Sequence, residues 1–223
     1  MRSLISASIM CANPLTMETD LIQLAQSGVD YYHCDVMDGH FVPNMMLSTE
    51  TIKAVKAMNR LPLDIHMMVD NPAQCLPWFS FGQGDTVTVH AEGNPHLQRT
   101  LKLIQERGAT PALALNPATP LCFAEHVLPD IGLLLIMTVN PGFAGQKLVP
   151  QTLDKITAAR AMLDARGYAH IPIEADGNCS YENIPKMEAA GASIFVVGSS
   201  SVFDPLLGIP QGVAKVKALF KRT

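Results

Sequence analysis

Eight short apolar or β-branched runs recur along the chain: Leu4–Met10, Tyr31–Val36, Leu63–Met68, Thr86–His90, Thr110–Leu115, Leu133–Met137, Ile171–Ala175 and Ile194–Gly198. More polar segments with helical punctuation separate them. Asn13-Pro14 opens the first segment and Ser27-Gly28 closes it; Ser48 precedes Thr49–Met58, and Arg107-Gly108 ends Pro95–Arg107. A serine ahead of a helix accepts from its first free N–H groups, and a glycine behind it adopts the left-handed conformation that stops it. Nearly continuous apolar strands alternating with helices signal a parallel sheet covered on both faces. Eight such units close into a (β/α)8 TIM barrel, an α/β fold, more naturally than they form the alternative, an open doubly wound sheet.

Length and composition fit that reading. The 223 residues fall within the range of one barrel and hold no linker-like stretch, so residues 1–223 are expected to form a single domain. Hydrophobic residues make up 48% of the chain and charged ones 16%, enough apolar material for a large core. A net charge of −4 without a concentrated Lys/Arg surface argues against nucleic acid as a partner. The N-terminal segment MRSLISASIMCANP is too short in its apolar part for a secretory leader, and no run reaches membrane-span length, which points to the cytoplasm with no membrane partner. Five scattered cysteines without a CxxC pair fit free thiols in a reducing compartment.

In a TIM barrel the chemistry gathers at the C-terminal ends of the strands. The polar residues there are Ser8, His33 and Asp35, His66, Asn140 with the Gly142–Gly145 loop, Asp176-Gly177, and Gly198-Ser199. His33 and Asp35 are two apart and so share one face of their strand. Barrel closure would bring His33, Asp35, His66 and Asp176 to one mouth. Two nitrogen and two oxygen donors suit Zn²⁺ and admit Fe²⁺, Mn²⁺ or Co²⁺. Taken singly, each histidine also reads as a packed residue and each aspartate as a helix cap. The Gly142–Gly145 loop, Gly177 and Gly198 follow the sixth, seventh and eighth runs, where barrels build phosphate sites from backbone N–H groups.

The stretch His33-Cys34-Asp35-Val36-Met37-Asp38-Gly39-His40-Phe41-Val42-Pro43-Asn44 resembles the ribulose-phosphate 3-epimerase family. The resemblance continues through Ile5–Met10, His66-Met67-Met68-Val69, Met137–Gln146, Glu174-Ala175-Asp176-Gly177 and Gly198-Ser199, in family order over essentially the whole chain. It implies a metal-dependent carbohydrate-phosphate 3-epimerase, an isomerase commonly found as a homo-oligomer. By the same resemblance His33, Asp35, His66 and Asp176 hold one divalent ion per subunit, and Asp35 and Asp176 form the acid/base pair. Ser8, His66, Gly142, Phe143, Ala144, Gly145, Gly177, Asn178, Gly198 and Ser199 contact a phosphorylated ketose. Met37, Met68 and Met137 would line the site, though core filling explains them nearly as well.

Three positions depart from the pattern. Ala7 stands where a proline is common, Ala144 where a glycine is frequent, and Gly177-Asn178-Cys179 follows Asp176 where members show Gly-Gly. The last two resemble the allulose-6-phosphate 3-epimerase branch, so both a pentulose and a hexulose phosphate stand as substrates. A non-catalytic sugar-phosphate sensor is the reading from another class; two acid/base carboxylates weigh against it. His90, His96, His126 and His170 are expected on the surface or in the core rather than as ligands, His40 shapes its loop, and Trp78 packs on the barrel exterior or at a subunit contact.

Overall fold

The computed structural model describes residues 2–220. The chain runs β1 (Leu4–Ser8), α1 (Met17–Ser27), β2 (Tyr31–Asp38), β3 (Met45–Met46), α2 (Thr49–Ala57), β4 (Leu63–Met68), α3 (Pro72–Cys75), β5 (Thr86–His90) and α4 (Leu97–Glu106). It continues β6 (Thr110–Leu115), α5 (Cys122–Glu125), β7 (Leu133–Met137), α6 (Gln151–Ala165), β8 (Ile173–Asp176), α7 (Ile184–Ala190), β9 (Ile194–Val197) and α8 (Ile209–Lys217). The strands lie in the order β1-β9-β8-β7-β6-β5-β4-β2, and β1 also pairs with β2, so eight parallel strands close into a barrel. β3 pairs antiparallel with the end of β2, Met37 opposite Met46, and extends it beyond the rim. No helix among the described residues is long and apolar enough to cross a membrane.

Strand period two sorts the side chains into two environments. Ile5, Ala7, Tyr32, Cys34, Val36, Ile65, Met67, Val87 and Val89 join the large core between strands and helices. Ala112, Ala114, Leu133, Leu135, Met137 and Ile194 form a separate core with Val139 inside the barrel. The intervening positions of β1, β2, β4, β5 and β8 are polar yet buried: Ser6, Ser8, His33, Asp35, Asp64, His66, Thr88, His90 and Glu174. The interior wall contributed by β6, β7 and β9 is therefore apolar, and that contributed by β1, β2, β4, β5 and β8 is polar. Burying polar groups is costly unless they are paired, so this second wall needs a network to hold it.

The helices carry their expected stops. Gly28 ends α1 in the left-handed region, its N–H reaching Ala25 O and Leu24 O, and Ser48 accepts from the Thr51 N–H at the start of α2. Several element ends differ from expectation. β1 stops at Ser8, and Ile9–Cys11 turns as a 3-10 helix. β2 runs on to Asp38 because β3 supplies it a partner. β8 begins at Ile173, after Pro172, which has no N–H to give a ladder. α3 and α5 are single turns, each leading to a 3-10 segment that contains a proline, Pro77 and Pro129. Trp78 lies in the first of these segments and is 59% exposed, so packing on the barrel exterior does not hold it.

Candidate active site

β2 delivers His33 and Asp35, β4 delivers His66 and β8 delivers Asp176 to the same end of the barrel. The spacing of two in β2 aims both its side chains inward. His33 Nε2 lies 3.4 Å from Asp35 Oδ1 and 3.7 Å from Asp176 Oδ2, while His66 Nδ1 lies 3.7 Å and 3.3 Å from the same two oxygens. The imidazoles are edge to face with centroids 5.4 Å apart. Ser8 Oγ donates to the other oxygen of Asp35, Oδ2, at 2.7 Å.

Two atoms of this group carry a test of metal fit. His33 Nε2 and His66 Nδ1 are buried and have no hydrogen-bond partner. Orphaned ring nitrogens are costly in a core unless something else meets their lone pairs. The four donors His33, Asp35, His66 and Asp176 converge, all their ligand atoms within 4.8 Å of one another. A tetrahedron with metal–ligand bonds of ~2.1 Å has edges of about 3.4 Å. The residues fit a divalent cation.

Charge in the cluster is paired. Burial resists charging His33, but the Asp64 and Asp35 carboxylates outweigh it and raise its pKa well above the ordinary imidazole value. Burial likewise resists ionising Asp35, and His33 and His66 outweigh it, holding the carboxyl well below its usual range. His66 is also raised, burial being overcome by Asp176 and Asp35.

Beneath the four donors lies a layer that the motif reading did not assign. His33 Nδ1 is 2.6 Å from Asp64 Oδ2, which also accepts from Ser6 Oγ at 2.7 Å. Glu174 stands behind them, fully buried, and its pKa is raised well above the carboxylate value by burial and by Asp64. On the other flank His66 Nε2 meets His90 Nε2 at 2.8 Å, and His90 Nδ1 meets Glu92 Oε2 at 3.2 Å. Burial lowers the His90 pKa to about 4. His90 is thus a core residue, as expected, and it touches a candidate ligand. Asp64, Glu174, His90 and Glu92 each stand two residues from another inward polar position, which was the signal available for them. His40, His96, His126 and His170 are all exposed.

The pocket above the donors is lined by Ser8, Met10, Cys11, Met37, Met68 and Met137, the Gly142–Gln146 loop, Gly177-Asn178, and Gly198–Ser200. The three expected methionines are all buried there. Gly177 has φ +121°, and a Cβ on it would fall 2.6 Å from Val139 Cγ2 and 2.8 Å from Val139 N, so only glycine lets this loop lie against β7 and its extension. Asn178 follows at φ 50°, a conformation asparagine tolerates. Its Nδ2 donates to Gln146 O and its Oδ1 accepts from Asn183 Nδ2 at 2.8 Å, tying the loop after β8 to the loop after β7. Asn44 Nδ2 donates to Gly142 O at 2.8 Å and brings in the hairpin beyond β2. Phe143, Ala144, Gly145 and Ser199 are exposed at the mouth.

Residues 4–203 match the sequence profile of the Ribulose-phosphate 3 epimerase family. The chain belongs to the ribulose-phosphate 3-epimerase family. It is an isomerase. The ribulose-phosphate 3-epimerase of Bacillus subtilis (strain 168) is 41% identical over 196 residues, 88% of this chain and 90% of that protein. The ribulose-phosphate 3-epimerase of Escherichia coli (strain K12) is 39% identical over 202 residues, 90% and 89% of the two. Among solved structures, KGPDC from Streptococcus mutans superposes with a TM-score of 0.66 over 99% of this chain and all of that one, at 11% identity, a likeness of fold alone.

Proposed function

We propose that this member of the ribulose-phosphate 3-epimerase family interconverts D-ribulose 5-phosphate and D-xylulose 5-phosphate by moving a proton at C3 between two carboxylates, Asp35 and Asp176. The observation that carries the reading is the pair of buried, unpartnered ring nitrogens facing those two carboxylates. Asp35 enters from β2 and Asp176 from β8, with β1 and β9 between them in the barrel. A base on one side removes the C3 proton, an acid on the other returns one, and the stereocentre inverts; a single base on one face would restore the starting sugar. Ser8 Oγ holds the orientation of Asp35, and the neighbouring His33 and His66 favour its ionised form, the form that can accept a proton.

His33, Asp35, His66 and Asp176 would hold one divalent ion, zinc first among Zn, Fe, Mn and Co. When bound, it supplies positive charge beside the substrate oxygens that become negative as the proton leaves. Met37, Met68 and Met137 keep water from the reacting carbon. The phosphate lies among Gly142–Gly145, Gly177-Asn178 and Gly198-Ser199, where small residues at the backbone leave room for an anion to meet N–H groups.

Ala144 and Gly177-Asn178-Cys179 resemble the allulose-6-phosphate 3-epimerase branch, which makes D-allulose 6-phosphate, converted to D-fructose 6-phosphate, the second substrate to test. The test is kcat/KM for both sugar phosphates on protein stripped by chelator and on protein reloaded with Zn²⁺ or Co²⁺. Activity lost on stripping and restored by the ion is expected, and the kcat/KM ratio names the sugar. Full turnover by protein shown by elemental analysis to be metal-free would contradict the metal site.

A further inference from the structure

His66 is held from behind by a chain of groups that crosses from β4 into β5 and out to the loops after β5 and β6. Its Nε2 faces His90 Nε2 at 2.8 Å, with the rings stacked at 5.0 Å. A contact of that length between two nitrogens requires one to carry a proton and the other a lone pair. The far side of His90 settles which. Its Nδ1 lies 3.2 Å from Glu92 Oε2, and an ionised carboxylate only accepts, so Nδ1 carries the proton of a neutral His90. His90 Nε2 is then the acceptor and His66 Nε2–H the donor, so a neutral His66, the form that binds a metal, has its lone pair on Nδ1. That atom is the buried, unpartnered nitrogen 3.3 Å from Asp176 Oδ2.

The outer end of the chain is equally fixed. Glu92 Oε1 accepts from the Asn116 N–H at 2.8 Å and from Thr119 Oγ1. Lys155 of α6 donates to Asn116 O and Thr119 O, each at 2.6 Å, and so clamps the loop that grips Glu92. Phe41 packs on the His90 ring with centroids 4.6 Å apart. Each step from Lys155 to His66 Nε2 is a hydrogen bond, whereas His66 Nδ1, which has no partner, faces the candidate ligands.

From this we infer that His90 and Glu92 are positioning residues, a relay that fixes the His66 tautomer and ring angle so that Nδ1 is presented to the divalent cation. The inference rests on the metal reading above. Groups that orient a ligating histidine from behind typically affect metal affinity about 10–100-fold.

The experiment begins with the zinc-loaded protein, its affinity measured by competition with a chromophoric chelator and its imidazole tautomers by ¹⁵N NMR. His90→Phe keeps a ring against Phe41 and removes the acceptor. It is expected to bind zinc about 10–100-fold more weakly with unchanged secondary structure by circular dichroism, and to shift the d–d spectrum of the Co²⁺ form. His90→Gln, which retains an acceptor oxygen, is expected to keep most of the affinity. Unchanged affinity and an unchanged Co²⁺ spectrum in His90→Phe would overturn the relay. Should that variant fold poorly, the wild-type protein decides: His90 protonated at Nδ1 with Nε2 bare is expected, and the reverse tautomer overturns the inference. Failure of the wild-type protein to bind zinc stoichiometrically would overturn the metal reading instead.

Discussion

Asp64 Oδ2 lies 2.6 Å from His33 Nδ1 on the buried floor of the pocket, fixing the imidazole so that Nε2 points up at Asp35 and Asp176. The same oxygen accepts from Ser6, so one carboxylate holds a ring and a hydroxyl that are both fully buried. Asp64→Ala strands both. It is expected to lower unfolding free energy by about 3 kcal/mol or more in urea titration and to weaken metal binding. Asp64→Asn, which keeps an acceptor, is expected to lose less of each.

Gly177 turns the chain from β8 into the loop that lines the pocket, at a φ closed to other residues. Gly177→Ala sets a methyl against the Val139 side chain at Cγ2 and against the Val139 backbone N, which cannot step aside. The loop must move, so the expected result is a higher KM for the sugar phosphate and a loss of about 1–3 kcal/mol of stability. Steady-state kinetics and a melting curve check both.

Glu92 links the candidate site to acid stability. Burial resists its ionisation, but contacts from His90, Thr119 and the Asn116 N–H outweigh it and push the pKa from 4.5 down to about 2. A depressed carboxyl stabilises the fold above its unfolded pKa, and that stability is lost as pH falls through the folded value. Wild-type protein is therefore expected to melt above Glu92→Gln near pH 6, and the two curves to converge between pH 4.5 and 2. A gap that stays constant over this range would mean that Glu92 titrates like a free side chain.

Most of the barrel was legible because apolar runs and their punctuation are local properties. Ser48 and Gly28 mark helix ends through chemistry that acts within one turn, and His33 with Asp35 betrays a shared face by spacing alone. What escaped depends on contacts across the barrel. Asp64 is unremarkable in sequence until β2 and β4 are paired, His33 beside Asp64 in register, and His90 looks like any buried ring until β5 sets it on His66. The strand ends at Asp38 and Ile173 were missed for related reasons, a hairpin partner in one case and the missing N–H of Pro172 in the other.

The two aspartates make separable predictions. Asp35→Asn and Asp176→Asn each remove a proton acceptor without changing volume, so each is expected to lower kcat by about 10²-fold or more in protein whose circular dichroism is unaltered. Near-normal turnover in either variant would rule out a two-carboxylate transfer.

The most direct measurement is the reaction of metal-loaded wild-type protein with D-ribulose 5-phosphate in deuterated water, followed by NMR at C3. Deuterium at C3 of the inverted product, with no label at other carbons, is the expected result. Inversion without any label from solvent, or label gained at C3 without inversion, would contradict proton transfer between Asp35 and Asp176 across the two faces of that carbon.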